Sequence, residues 1–350
     1  MTAVAAAGLP TARHDLGILG GRGPLCEQLA LALTRPPHRL APTADPAAAG
    51  AAADPLADDD LQAALYALYE LHHGGLDGVA GGWEVEPSLL AVRRRLEATF
   101  EGWLHEQVPL DPVAPVDVGA ALWELTRQPA GPSLSRWALD HGDLGHAREL
   151  AVHRSAYQLK EADPHTFAML HVAGGALEAM TTIQFDEYGE GRDRDRHARL
   201  FADSLAGLGL DPTYGAYLPL IPAVTLATGN LFSLLSLHRR LRGAVVGHLA
   251  GFEMNSVVPM RRYSAWHGAL GFGADVRRFY DVHVVADESH QHIAADELAA
   301  SFALDEPQLA AWVPWGARVL SVVEARFAGR VLDAWQAGRS SLRAPLTPMR

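Results

Sequence analysis

The stretch Asp281 to Glu297, DVHVVADESHQHIAADE, constrains the fold of this chain more than any other. His283, Asp287 and His290 stand at i, i+4 and i+7, so on a helix of 3.6 residues per turn they share one face. The segment has no Gly or Pro and is rich in Ala, Val, Asp and Glu, which predicts a helix. Two imidazoles and a carboxylate on one helical face also fit a solvated polar surface. The balance turns on whether other helices carry further ligands.

The 350 residues, 49% hydrophobic, suffice for a sizeable core. A net charge of −12 without a basic stripe argues against nucleic acid or an anionic membrane as partner. Cys26 is the single cysteine, which leaves no disulfide framework and no Cys-based zinc or iron–sulfur site. No basic segment followed by an apolar run opens the chain, so a cytoplasmic protein is expected. Tyr214 to Leu237 carries no charge over a length that could span a bilayer. Pro219 and Pro222 near its start, and Thr225, Thr228, Gly229, Asn230 and Ser233 within it, favour a buried central helix instead.

Residues 1–60 are rich in Ala, Pro and Gly and read as a low-complexity, mobile arm. Residues 61–140 form a helical extension, with helices expected over LQAALYALYELHH, Glu86–Gln107, Val116–Arg127 and Ser133–Leu139. The core is expected over 141–340. Its helices are predicted at Leu144–Ala162, Pro164–Glu187, Arg192–Leu208, the apolar segment, Leu241–Val258 (ending before Pro259), Arg261–Leu270, Ala274–Ala303 and Glu306–Ala337. No run of period two stands out, so the fold class is all-α.

A carboxylate-bridged metal pair in a helical bundle needs acids and imidazoles projecting inward from several helices. Glu161 closes one helix, and Glu187 lies at the end of the next, in FDEYGEG. His197 follows ten residues later, and the intervening GEG turn can bring the two together. Glu253 is a lone acid in an apolar run, so it must be paired, protonated or metal-bound if buried. His146, His153, His165 and His171 compete as imidazoles, and Glu178, Asp186, Glu190 and Glu288 as acids; spacing does not exclude them. Arg261-Arg262 could bind a substrate carboxylate or form a surface basic pair.

The segments YQLKEADPHTFA, FDEYGEGRDRDRHARLF, GHLAGFEMNS and HVVADESHQH resemble the haem-oxygenase-like di-iron oxygenases, the iron-containing redox enzymes. The pattern is most similar to the N-oxygenating branch, typified by the central domain of the streptozotocin-pathway N-oxygenase. The resemblance covers roughly 145–300. It implies a haem-oxygenase-like helical bundle with additional N-terminal helices. Glu161, Glu187, His197, Glu253, His283, Asp287 and His290 would be its metal ligands. Two Fe(II), or Mn(II), would be bound without haem, and O2 would be reduced to a peroxo-di-iron(III) species that attacks a substrate nitrogen. The implied partners are a small amine or amino-acid substrate, an external reductant and possible homodimerisation. The alternatives are C–C cleavage or desaturation of an amino or fatty acid by the same fold, or a non-catalytic metal-binding helical protein.

Overall fold

Acidic caps and prolines set where several helices of this chain begin. In the computed structural model, which describes residues 15–40, 54–128 and 131–346, the helices are α1 (Pro24–Leu33), α2 (Asp59–Glu70), α3 (Pro87–Gln107), α4 (Val118–Thr126) and α5 (Leu134–His141). There follow α6 (Leu144–Gln158), α7 (Asp163–Met169), α8 (Gly174–Glu187), α9 (His197–Gly207) and α10 (Ala223–Leu237). The last are α11 (Arg242–Ala269), α12 (Ala274–His292), α13 (Ala300–Asp305) and α14 (Trp312–Gln336). The Asp58 carboxylate accepts from the N–H groups of Asp60 and Leu61 at the start of α2. Asp143 and His146 cap α6 reciprocally. Among the described residues there is no strand, and the protein is an all-α bundle, as expected.

α11 runs through the centre, flanked by α12 and α14. Gly243, Gly247 and Gly251 recur every fourth residue on its α14-facing side. A methyl group built on Gly247 would lie 1.7 Å from the Val313 carbonyl oxygen, and one on Gly316 would lie 1.9 Å from that of Ala244. The two backbones therefore meet directly. α10 is buried along nearly its whole length, as its lack of charge predicts. No helix among the described residues is long and apolar enough to cross a membrane.

Residues 15–40 correct the reading of 1–60 as a mobile arm. Ile18, Leu19, Leu25, Cys26, Leu29 and Leu33 are buried in the common core. The Arg22 guanidinium donates to the carbonyls of Ile18, Leu218 and Ile221 and pairs with Asp59 at 3.2 Å. The Asp60 carboxylate accepts from the N–H groups of Leu25 and Cys26, closing the start of α1 from a distant helix. Residues 1–14 and 41–53 of that expected arm lie outside the described residues.

The helical extension is tied to the core by polar contacts in its interior. Asn230 of α10 donates to both the backbone and side-chain oxygens of Gln62 of α2, at 2.8 and 2.7 Å. The Lys160 ammonium, buried beside Glu161, pairs with Glu70 of α2 and sits 4.5 Å from the centre of the Tyr66 ring.

Several predicted boundaries also move. The expected helix Pro164–Glu187 is two, α7 and α8, because Gly174 takes φ of +58°, which a continuous right-handed helix forbids. Conversely, α11 runs on through Pro259. Proline there removes one backbone donor, that directed at residue 255, yet packing on both sides keeps the helix continuous. After His292 the helix widens into a π-helical turn, Ile293–Ala299, before α13, and α14 begins only at Trp312.

Candidate metal centre

The tightest piece of local structure at this site is the turn between α8 and α9. Gly189 and Gly191 have φ of +69° and +80°, and Glu190 between them is left-handed at φ 52°. A methyl group on Gly189 would stand 2.5 Å from the Arg196 nitrogen, so glycine is required there on two counts. The reversal sets His197, the first residue of α9, against Glu187 at the end of α8, with His197 Nδ1 2.8 Å from Glu187 Oε2.

α12 supplies His283, Asp287 and His290 from one face, as their spacing predicts, and all three are buried. α11 contributes Glu253, and Glu161 comes from the turn after α6. Two groups of donor atoms result, each within 4.8 Å: Glu161, Glu187, His197 and His283 in one, Glu187, Glu253 and His290 in the other. Glu187 belongs to both. Asp287 belongs to neither group but lies beside them, with Oδ1 3.6 Å from His290 Nδ1 and Oδ2 accepting from the Ser256 hydroxyl. All seven residues are at most 7% exposed.

Imidazole orientation is fixed by neighbours outside these groups. His283 Nδ1 lies 2.8 Å from the Phe279 carbonyl oxygen, which accepts its N–H hydrogen bond and turns Nε2 toward Glu161 at 3.5 Å. His290 Nε2 lies 3.0 Å from Asp186 Oδ2, which leaves Nδ1 facing Glu253 at 3.3 Å. Asp186 was one of several rival acids in the sequence, and only the fold shows that it orients His290. Replacing it with alanine is expected to weaken Mn(II) binding roughly 10- to 100-fold, as loss of such partners does. Mn(II) titration followed by electron paramagnetic resonance checks this, with an unchanged melting temperature showing that the half-exposed Asp186 is not a folding determinant.

Burial raises the Glu187 carboxyl to about 7 and Glu253 to about 8, and it raises Glu161 as well. Burial alone would lower His283, but Glu161, Asp287 and Glu187 outweigh it and raise the imidazole to about 10. His290 is likewise lifted against burial, to about 12, by Asp186, Asp287 and Glu253. His197 goes the other way, to about 4, through burial and the neighbouring His283 charge. Protons thus balance the acids of the cluster. Even so, both oxygens of Glu161, Glu187 Oε2, Asp287 Oδ1, His197 Nδ1, His283 Nε2 and His290 Nδ1 are buried without an aligned hydrogen-bond partner. Carboxylate oxygens and imidazole nitrogens left over in this way suit divalent iron, and Glu161, Glu187, His283 and Asp287 among them line a cavity of about 10 Å³.

The other sequence candidates are placed elsewhere. His153 bonds Thr225 and Ser341, His146 caps α6, and Glu178 is exposed. Glu190 pairs with Arg192. His165 lines the small cavity but faces His248 at 3.3 Å. Arg261 is exposed and paired with Glu288 at 3.0 Å, so it does not serve the site. Arg262 lines a separate cavity of about 660 Å³, which Phe252 and Ser256 connect to the cluster: Phe252 borders both cavities, and Ser256 holds Asp287. Beyond Arg262, no sequence signal points to that larger cavity.

No curated protein matches the sequence. The family model of the iron-containing redox enzymes matches residues 148–324, half of the chain and the part that holds all seven residues of the cluster. By that match, and with a buried Glu/His cluster suited to iron at its centre, the chain belongs to the iron-containing redox enzyme family.

Proposed function

We propose that this protein is a non-haem di-iron oxygenase that uses O2 to N-oxygenate an amine or guanidine nitrogen of an amino-acid-like metabolite. The observation that carries the proposal is the place of Glu187 in both donor groups. A carboxylate common to two adjacent positions is what a dinuclear centre in a helical bundle uses to hold its metals together. The mixed oxygen and nitrogen donors fit Fe(II), or Mn(II), better than zinc or copper. Two Fe(II) held there would supply electrons and open positions for activating O2. The overall change is an amine plus O2, two electrons and two protons giving a hydroxylamine and water, so an external reductant completes each turnover.

The chain's own residues prepare that chemistry. Phe279 and Asp186 set the faces of His283 and His290, and Ser256 fixes one oxygen of Asp287. Phe232, Leu249 and Phe252 border the small cavity and limit water around the cluster. The wall of the larger cavity includes Leu134, Met254, Met260 and Leu320, which suits a carbon chain. That wall favours a second reading, oxidative C–C cleavage or desaturation at the same centre.

Anaerobic Fe(II) titration is expected to saturate at about two irons per chain. Addition of O2 with a panel of amines and guanidines should then yield a product with its carbon skeleton intact and one oxygen gained. A shortened or unsaturated product would decide for the second reading, and absence of iron uptake would overturn both.

A further inference from the structure

The larger cavity has a charge that nothing around it balances. Arg154, which lines it, is satisfied by both oxygens of Glu324, at 3.0 and 2.8 Å, and lies 4.5 Å from the centre of the Phe327 ring. Tyr157, Tyr263 and Tyr280, which also line it, are held as neutral phenols by burial. Arg262 differs. Its guanidinium donates only to the hydroxyls of Ser133 and Ser135, at 3.2 and 3.5 Å, and among the described residues no carboxylate pairs with it. A guanidinium facing a chamber between neutral hydroxyls is a receptor for an anionic group, most simply a carboxylate.

The same helix measures the distance from that receptor to the cluster. Ser256, which holds Asp287, is six residues before Arg262 on α11, a rise of about 9 Å; Glu253 is nine residues before it, about 14 Å. The cavity volume of about 660 Å³ is that of a site for an extended molecule rather than for a small free amino acid. Resting on the oxygenase reading above, we infer that Arg262 anchors a carboxylate at the far end of the substrate. The oxidised atom is then remote from that carboxylate, near Ser256 and Phe252, with an apolar chain between. The nitrogen adjacent to the carboxylate, as in a simple α-amino acid, would stay at the Arg262 end and out of reach.

Calorimetry on the metal-free protein tests the anchor with octanoate, ω-aminooctanoate, octylamine and octanoate methyl ester. The two acids are expected to bind roughly 10- to 100-fold more tightly than the amine and the ester, the usual range for hydrogen bonds to a charged group. Arg262→Gln should erase that preference, while Arg261→Gln keeps it. Failure of both acids to bind, or a preference that survives Arg262→Gln, overturns the assignment. With Mn(II) bound, the protons beside the amine of ω-aminooctanoate should relax faster than those beside its carboxylate. The reverse order would overturn the remote placement. Iron uptake by Arg262→Gln, measured separately, stays at the wild-type level, so a failure of the metal centre would show in that titration and not in the calorimetry.

Discussion

Glu187→Gln is expected to reduce Fe(II) uptake from about two per chain to one or fewer and to lower iron-dependent O2 consumption by about 100-fold or more. Glutamine keeps the shape but lacks the negative charge that Glu187 offers to both donor groups. The same substitution should make the metal-free protein more stable near neutral pH. Burial raises the folded carboxyl to about 7, well above its ordinary 4.5. Below about pH 4.5 the group is protonated whether the chain is folded or not, and its effect on stability is then at its most favourable. As pH rises through about 7, the folded chain must give up a proton that it holds more tightly than the unfolded chain does, and stability falls. Melting curves of apo wild type and apo Glu187→Gln should therefore separate between about pH 5 and pH 8, with the variant a few degrees higher. Iron should reverse the order. In the wild type, uptake should weaken steadily as pH falls, because Glu187 and Glu253 must be ionised, and His283 and His290 neutral, to bind metal. Equal apo stabilities across that range, together with unchanged uptake, would show that Glu187 is not part of a metal centre.

The second large effect is expected at Gly247. A methyl group there would overlap the Val313 carbonyl oxygen, which belongs to the backbone of α14 and cannot rotate away. Gly247→Ala forces the two central helices apart, at a cost of about 3 kcal/mol or more. Because α11 also carries Glu253, the displacement should weaken metal binding, although residue 247 touches no ligand. Gly329→Ala on α14 is the control: nothing lies within 4 Å of its added methyl group, and it should be neutral or slightly stabilising. Denaturant melts of the two variants decide the matter. If Gly247→Ala melts like Gly329→Ala, the helices are not in direct backbone contact.

Much of the centre was legible because helical spacing and burial are both local quantities. His283, Asp287 and His290 needed only a helix, and Glu253 stood out as an acid in an apolar run. The GEG turn marked where Glu187 and His197 could meet. Asp186 was not separable from its neighbours, because which of two adjacent acids faces His290 depends on how α8 is rotated against α12. Composition misled for residues 15–40: the alanines and prolines hid Ile18, Leu19, Leu25 and Leu29, and the acceptor that caps α1 comes from Asp60 on another helix. Pro259 misled in the opposite sense, since local propensity ends a helix that packing continues. The larger cavity is a property of the gaps between helices, for which sequence has no direct signal.

The buried Lys160–Glu70 contact separates what is inherited from what can fold. Residues 148–324 are the portion shared with relatives, yet Lys160 within it depends on an acid contributed by α2, ahead of it in the chain. Cutting the chain to that shared portion would remove both Glu70 and the Tyr66 ring that cover the Lys160 ammonium, and would open that part of the interior to water. The segment that carries the family's signature is therefore completed, in this chain, by a helix from outside it. Transplanting the centre into another protein would mean taking α2 along with it.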